Sequence, residues 1–574
     1  MQEKLAQSIR DVVKELFNQD IDPELTRPDE QFGDFATNVA LRLAKVVGQS
    51  PQDIATQITE KLRGQEGIEE IDIAGPGFIN ITVGARVAAQ ALQAAWEKAA
   101  AIEHNYGEAL EPKNQTVISE FPSPNLAKPY SVGHLRAANQ GWAVYKLMLS
   151  QGYSVIRDNH LGDAGAPFGK WVVGFQRYSS EEQLTDKGVY ELARVYIQIT
   201  ADMKAEKEQG GTQLRDEVQS WIRKLESKDP EAVAYSERFR ALSLDHMHTV
   251  MKRLHIETDI ELGELFYIEQ GQRMVDELLE KGIAEQGDDG AVIVRLDDQS
   301  VDVPILLRKS NGTALYATTD LATLRYRVET YHPAKVYIHT GSEQIFYFKQ
   351  LFALARKIGY GDVEWTHVWH GMIDQLNDDG TREKMSSRKG VILLEELLDQ
   401  AEAKARELTK DREVSEVDVA AIALGAIKFA DFAQDRRTNI LFDWDRIFSL
   451  QGYSGPYIQY AGVRVGKILA DADGSLQTVG HEQYEWGAEK AIIMHLLSYP
   501  DALTYAASVQ EPHRVAQYLF ELAQIMNRYY ETTPILKEGV DDVSSSARLE
   551  LLTKVLHVFR HGLDILGIEV PSKM

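Results

Sequence analysis

The stretch that most constrains this chain runs Thr116-Val117-Ile118-Ser119-Glu120-Phe121-Pro122-Ser123-Pro124-Asn125-Leu126-Ala127-Lys128-Pro129-Tyr130-Ser131-Val132-Gly133-His134-Leu135-Arg136. Its first four residues are rich in β-branched side chains and of strand length. Pro122, Pro124 and Asn125 then hold the chain open and extended, because proline cannot join a ladder and turns its predecessor away from helix. From Gly133 onward Leu135, Ala138, Trp142, Tyr145, Leu147 and Met148 recur at helical spacing. The unit is a strand, a stiff loop and a helix whose N-terminus carries Gly133 and His134. Unpaired backbone N–H groups and the positive end of the helix dipole attract phosphate there, glycine lets a ligand approach the backbone, and the imidazole adds a donor. Taken alone, the Gly-His pair fits an ordinary strand-to-helix turn equally well.

Before this unit, Leu5, Ile9, Val12, Val13, Leu16 and Phe17 lie on one face of an expected helix over residues 1 to about 17. A Gly33-Asp34 turn is expected to run into a second helix, and Ile71–Val83 to form a hairpin about Gly75-Pro76-Gly77. Beyond residue 111 strands and helices alternate, as a parallel sheet requires. Tyr153–Arg157 reads as a strand ending in the glycine-rich loop Asn159-His160-Leu161-Gly162-Asp163-Ala164-Gly165. Such a loop lies where open α/β sheets bind ligands. Residues 175–255 read as charged helices. His246, His248 and His255 fall close together there, but 246 and 248 face different sides of a helix and make a poor metal set. The same sheet is expected to resume at 291–296 and 303–308, followed by a strand near 314–318, a helix capped near Thr319, and a strand over 335–340. Everything after 395 reads as helix.

At 574 residues there is room for about three or four domains. No run approaches the roughly 18 apolar residues of a membrane span, and the N-terminus lacks a signal-peptide pattern. With no cysteine, disulfides, thiolate metal sites and thiol nucleophiles are excluded, and a cytoplasmic protein is expected. A net charge of −25 excludes a uniformly basic nucleic-acid binder, although local patches decide phosphate contacts.

Several motifs together resemble one family. Ser131-Val132-Gly133-His134 is similar to the His-x-Gly-His signature of class I aminoacyl-tRNA synthetases, with Ser131 where the first histidine is usual. Lys384-Met385-Ser386-Ser387-Arg388-Lys389-Gly390 resembles their Lys-Met-Ser-Lys-Ser loop, with Ser387 in place of the second lysine. The Ser-Pro-Asn-x-Ala-Lys-Pro lead-in, the Asn-His-x-Gly-Asp loop and the end segments (Gln31–Ala40, Gly455–Ala461, Gly562–Met574) resemble arginyl-tRNA synthetases. The resemblance implies a multidomain α/β protein. Residues 1–110 would be a small α/β domain touching tRNA. Residues 111–440 would be a Rossmann-type catalytic domain, with a helical insertion at about 175–255 and the second signature loop at 384–390. Residues 441–574 would be an all-α anticodon-binding bundle.

It further implies that arginine and ATP give arginyl-adenylate, and that the arginyl group then passes to the 3′-terminal adenosine of tRNA(Arg). ATP is expected with Mg²⁺ on its phosphates, no metal-binding side chains are expected, and the chain is expected to act as a monomer away from membranes. Lys128, His134 and Lys384 would be the catalytic residues, with Lys128, or in its place Arg388 or Lys389, compensating for the altered loop. Ser131, Gly133, His134, Lys384, Met385, Ser386 and Arg388 would bind ATP. Glu120, Ser123, Asn125, Tyr316, Asp320 and Gln344 would bind arginine, since a carboxylate such as Asp320 can pair a planar guanidinium and reject lysine. Phe32, Asn38, Tyr457, Tyr460 and Arg464 would touch tRNA. The competing expectation is a tRNA-binding relative weakened in catalysis by the two altered signatures.

Overall fold

The computed structural model describes residues 1–28, 30–126, 129–310, 312, 314–376, 381–385, 393–472, 484–536 and 541–574. Lys128, Ser386, Ser387, Arg388 and Lys389 lie outside the described residues, as does the side chain of Lys384. The chain divides into two compact units. The first comprises 1–110, 461–502 and 518–561; the second comprises 111–460, 503–517 and 562–574.

In the first unit the helix Gln2–Phe17 buries Leu5, Ile9, Val12 and Val13, the face marked out by the 3.6-residue period. A four-stranded antiparallel sheet orders Leu25–Thr26, Phe35–Thr37, Phe78–Val83 and Ile68–Ala74. The expected hairpin is present, with Ala74 opposite Phe78. Gly77 has φ +132°, and a Cβ there would come within 2.9 Å of Pro51. The Gly33-Asp34 turn does not run straight into a helix. The Asp34 carboxylate accepts the Val83 N–H at 2.7 Å, and this pins Phe35–Thr37 as a strand before the helix Val39–Val47 begins. Within the same unit Arg27 donates to the Met494 carbonyl at 2.7 Å and Tyr106 to the Leu496 carbonyl at 3.0 Å. These bonds fasten the N-terminal residues to the helix Lys490–Leu497.

The second unit is built on a four-stranded parallel sheet, ordered Glu364–His367, Lys335–Ile338, Thr116–Glu120, Ser154–Asp158. Ile118, Val336 and Ile338 meet Leu324, Phe348, Leu351 and Phe352 in one buried cluster. The helix Val132–Ser150 packs closely on the sheet: a Cβ on Gly141 would sit 2.3 Å from the Phe121 side chain. The helical insertion starts earlier than expected, at Ala166, and continues to Arg253.

Three expectations are corrected. Residues 291–308 do not rejoin the parallel sheet but form a separate antiparallel sheet, ordered Glu285–Gln286, Val292–Leu296, Val301–Arg308. The reason is local. A tight turn over Asp297–Gln299, closed by Ser300 at φ +60°, sends the chain straight back, whereas parallel neighbours need a crossover of about a dozen residues. No strand runs over 314–318. Thr318 Oγ1 accepts the Leu315 N–H at 2.8 Å, so the helix Tyr316–Tyr331 opens there, ahead of Thr319. Beyond 395 not all is helix: Ile440–Leu441 pairs in parallel with Ile373–Asp374, pinned by Asn439 Oδ1, which accepts the Met372 N–H at 2.9 Å.

Candidate active site

A cavity of about 530 Å³ opens beyond the carboxyl ends of Thr116–Glu120 and Lys335–Ile338. From the first of these strands the chain goes to Ser154–Asp158 on one side, while the second leads to Glu364–His367 on the other. This is the switch point at which open α/β sheets hold ligands. Asn125, Ser131, Gly133 and His134 line one wall; His339, Gly341, Gln344, His370 and Met385 line others.

Ser131 precedes the first turn of the signature helix. Its N–H donates to His134 Nδ1 at 3.1 Å, and its hydroxyl lies 3.2 Å from the same nitrogen. With Nδ1 accepting, the imidazole proton sits on Nε2. The Tyr130 ring stacks on His134 with centroids 4.7 Å apart. The serine found where a histidine was expected thus orients the second histidine of the signature. Two residues on, the buried Arg136 donates through Nε to Asp431 at 2.9 Å and to the carbonyls of Thr438 and Arg436.

The opposite wall holds the buried imidazoles of His339 and His370, with the partly buried His367 nearby. Burial, and then the neighbouring Arg436, push His339 well below its usual range; burial, and then His370, bring His367 down to about 4. Burial also lowers His370, with Arg136 adding to the effect. These rings are neutral hydrogen-bonding groups at neutral pH. A Cβ on Gly341 would meet only the tip of the exposed, flexible Glu343 side chain, which can swing aside. The second signature begins on a hairpin, Ile373–Leu376 against Arg382–Lys384, with Lys384 opposite Asp374. Met385 follows it into the cavity wall.

Beside the cavity lies an acidic slot. Glu120 and Asp158, neighbours in the sheet register, clasp the buried Arg327 guanidinium at 2.5 and 2.7 Å. Ser123 Oγ donates to Glu120 at 3.0 Å. Burial favours the neutral acid, but Arg327, His160 and Ser123 outweigh it and hold Glu120 below the usual carboxylate range. Asp320 accepts from the Tyr347 hydroxyl and lies 3.6 Å from His160 Nε2. Its carboxyl is raised by burial despite these partners. Tyr316, well exposed to solvent, shares a cavity of about 190 Å³ with Glu264 and Thr319.

Glu264 and Tyr347 were not picked out from the sequence, and His160 only as a member of the Asn-His-x-Gly-Asp loop. Of these, Glu264 is the most unusual. Burial, then Asp320 and Asp163, push its carboxyl up to about 8, so it is neutral at pH 7 until a cation arrives. A guanidinium bound there would favour the ionised form. Arginine affinity is therefore expected to rise as pH increases from 6 to 8, by at most about tenfold per pH unit, and to level off above. Glu264→Gln should flatten that rise, as read by calorimetric titration across pH; a wild-type Kd independent of pH would refute the assignment.

Of the expected tRNA contacts, Phe32 is 45% exposed, Asn38 precedes the helix Val39–Val47, and Tyr457, Tyr460 and Arg464 lie on the helix Gly455–Asp471. Arg464 donates to Asn527 at 3.1 Å and stacks over Tyr530. Among the described residues the set close enough to ligate a metal is Asp435, Glu511 and His513. Arg437 already bridges its two carboxylates, so a cation fills that role. His246 and His248 do face apart, toward Glu395 and Glu261 respectively.

Comparison with known proteins accords with this arrangement. The family model for the catalytic domain of class I tRNA synthetases (R) matches residues 98–444, the DALR anticodon-binding domain matches 458–574, and the arginyl-tRNA synthetase N-terminal domain matches 2–83. Arginine–tRNA ligases of Exiguobacterium sp. and Streptococcus pneumoniae are 34% and 35% identical, each alignment covering 100% of this chain and 99% of the relative. The solved structure of Thermus thermophilus arginyl-tRNA synthetase superposes with a TM-score of 0.82 at 22% identity, over the full length of both chains. By its signatures, its fold and its full-length relatives, the chain belongs to the arginyl-tRNA synthetase family of class I aminoacyl-tRNA ligases.

Proposed function

We propose that this protein charges tRNA(Arg) with L-arginine at the expense of ATP. The observation that carries the reading is the buried acidic slot of Asp320, Glu264 and Tyr347 alongside a cavity headed by a helix N-terminus and an oriented imidazole. A carboxylate oxygen of arginine attacks the α-phosphorus of ATP, the bond to pyrophosphate breaks, and arginyl-adenylate forms. A hydroxyl of the terminal ribose of tRNA then attacks the arginyl carbonyl, and AMP leaves. The substrates bring nucleophile and leaving group, so the protein's work is to align them and to neutralise developing charge.

His134 donates from Nε2 to the phosphates, beside the Gly133 amide. Ser131 and Met385 complete that wall, and Lys128, Lys384, Ser386 and Arg388 supply cations and donors from the two signature segments. Among the described residues lining the cavity the one carboxylate is Glu343, which fits a Mg²⁺ that would arrive on the triphosphate and shield its charge there. Asp320 and Glu264 pair the guanidinium beside Tyr316, while Glu120, Ser123, Asn125 and Gln344 hold the α-amino and carboxylate end. Residues 1–110 and 441–574, with Phe32, Asn38, Tyr457, Tyr460 and Arg464, bind tRNA, and residues 111–440 carry the chemistry in a monomer.

The test is charging of bulk tRNA with each amino acid, alongside arginine-dependent pyrophosphate exchange. Arginine alone should be accepted. His134→Ala should lower exchange about 10²–10³-fold with tRNA binding intact. Charging with lysine at a comparable rate, or normal exchange in the variant, would overturn the reading.

A further inference from the structure

We propose that Asn159 and Glu261 are positioning residues for arginine activation, acting through the loop Phe121–Leu126 that presents Ser123 and Asn125 to the substrate. The inference rests on the assignment of that loop to arginine. Asn159 is fully buried at the crossing of three segments. Its Oδ1 accepts the Ser123 N–H at 3.2 Å, and its Nδ2 donates to Glu261 Oε1 at 3.1 Å. Only this orientation of the amide satisfies both neighbours, since an N–H cannot accept and a carboxylate cannot donate. Glu261 is itself held: Thr258 Oγ1 donates to Oε1 at 3.0 Å, and His248 Nε2 lies 2.8 Å from Oε2.

The backbone alone already ties these segments together. Gly162 donates to the Pro124 carbonyl at 3.0 Å, Leu126 to the Gly162 carbonyl at 3.1 Å, and Asn159 to the Ile260 carbonyl at 2.8 Å. What the Asn159 side chain adds is a hold on one residue. Ser123 adopts φ +50°, a left-handed conformation that a non-glycine residue leaves unless its surroundings fix it. With its N–H fixed, Ser123 directs its hydroxyl to Glu120, which Arg327 grips from the other side. Glu261 lies on the stretch returning from the helical insertion, so through this pair the insertion also braces the loop Phe121–Leu126. A carboxamide at 159 and a carboxylate at 261 are therefore a matched donor–acceptor pair.

The test reverses that match. Asn159→Asp keeps an acceptor for Ser123 but sets two carboxylates against each other, a pairing that favours neither in its charged form. In arginine-dependent pyrophosphate exchange it should raise KM for arginine by about tenfold or more, with KM for ATP little changed. Adding Glu261→Gln supplies a donor to the new carboxylate and should recover most of the loss. If the double variant is as impaired as the single one, or if both KM values rise together with a fall in Tm, the residues merely support the fold and the proposal fails. A wild-type enzyme that exchanges pyrophosphate with no arginine dependence would instead overturn the assignment of substrate.

Discussion

Asp320→Asn should lower kcat/KM for arginine by about two to four decades while leaving KM for ATP within a small factor of its starting value. The carboxylate is partly buried, holds the Tyr347 hydroxyl and sits 3.6 Å from His160. A guanidinium brought into that slot loses its water and needs a full opposite charge. Leaving a buried charge without its partner costs about 3–5 kcal/mol, and each 1.4 kcal/mol or so is a factor of ten in rate. The fold should not suffer, since Glu120 already sets negative charge near the position and an amide oxygen there can still accept from the Tyr347 hydroxyl. Exchange kinetics with arginine and ATP varied separately, together with thermal unfolding, would check this. A loss under about tenfold would move the selecting group elsewhere.

The second large effect is on stability. Arg136 and Asp431 are almost wholly buried, paired at 2.9 Å, and Gln140 donates to the same oxygen at 3.0 Å. The pair joins the signature helix to the helix Glu416–Phe432, and the other Arg136 nitrogens grip the carbonyls before the strand Ile440–Leu441. Arg136→Met removes the countercharge and should destabilise the unit by about 3–5 kcal/mol, whereas Arg136→Met with Asp431→Leu should recover part of that, because an apolar pair replaces a buried ion pair at little cost. Urea midpoints for the three proteins would show the order. A double variant less stable than the single one would refute the argument.

Much of the site was legible because its parts are local. The strand, stiff loop and helix around Gly133-His134 follow from one continuous run of residues, and the parallel pairing of 116–120 with 154–158 follows from a strand–helix–strand pattern. Asp320 and Gln344 came only with the family resemblance; no periodicity marks them. Glu264 and Tyr347 escaped because each lies on a helix where a glutamate or a tyrosine is unremarkable. Their meaning depends on burial beside Asp320, which no local pattern encodes. The misplaced strands at 291–308 have the same origin: apolar runs announce a strand but not its sheet, and the turn over Asp297–Gln299 decided the partner. The sequence shows only that Ser131 stands where the family's first histidine is usual; the three-dimensional arrangement adds that its N–H holds the His134 imidazole.

The contact between Gly141 and Phe121 restricts how this lineage can drift. With the Phe121 Cβ itself 2.3 Å from where a methyl group on residue 141 would sit, any substitution at 141 must be preceded by glycine at 121. The intermediate would carry a void under the loop Phe121–Leu126. Mutational routes through these two positions are therefore ordered, and the reverse order passes through a chain that cannot close its sheet.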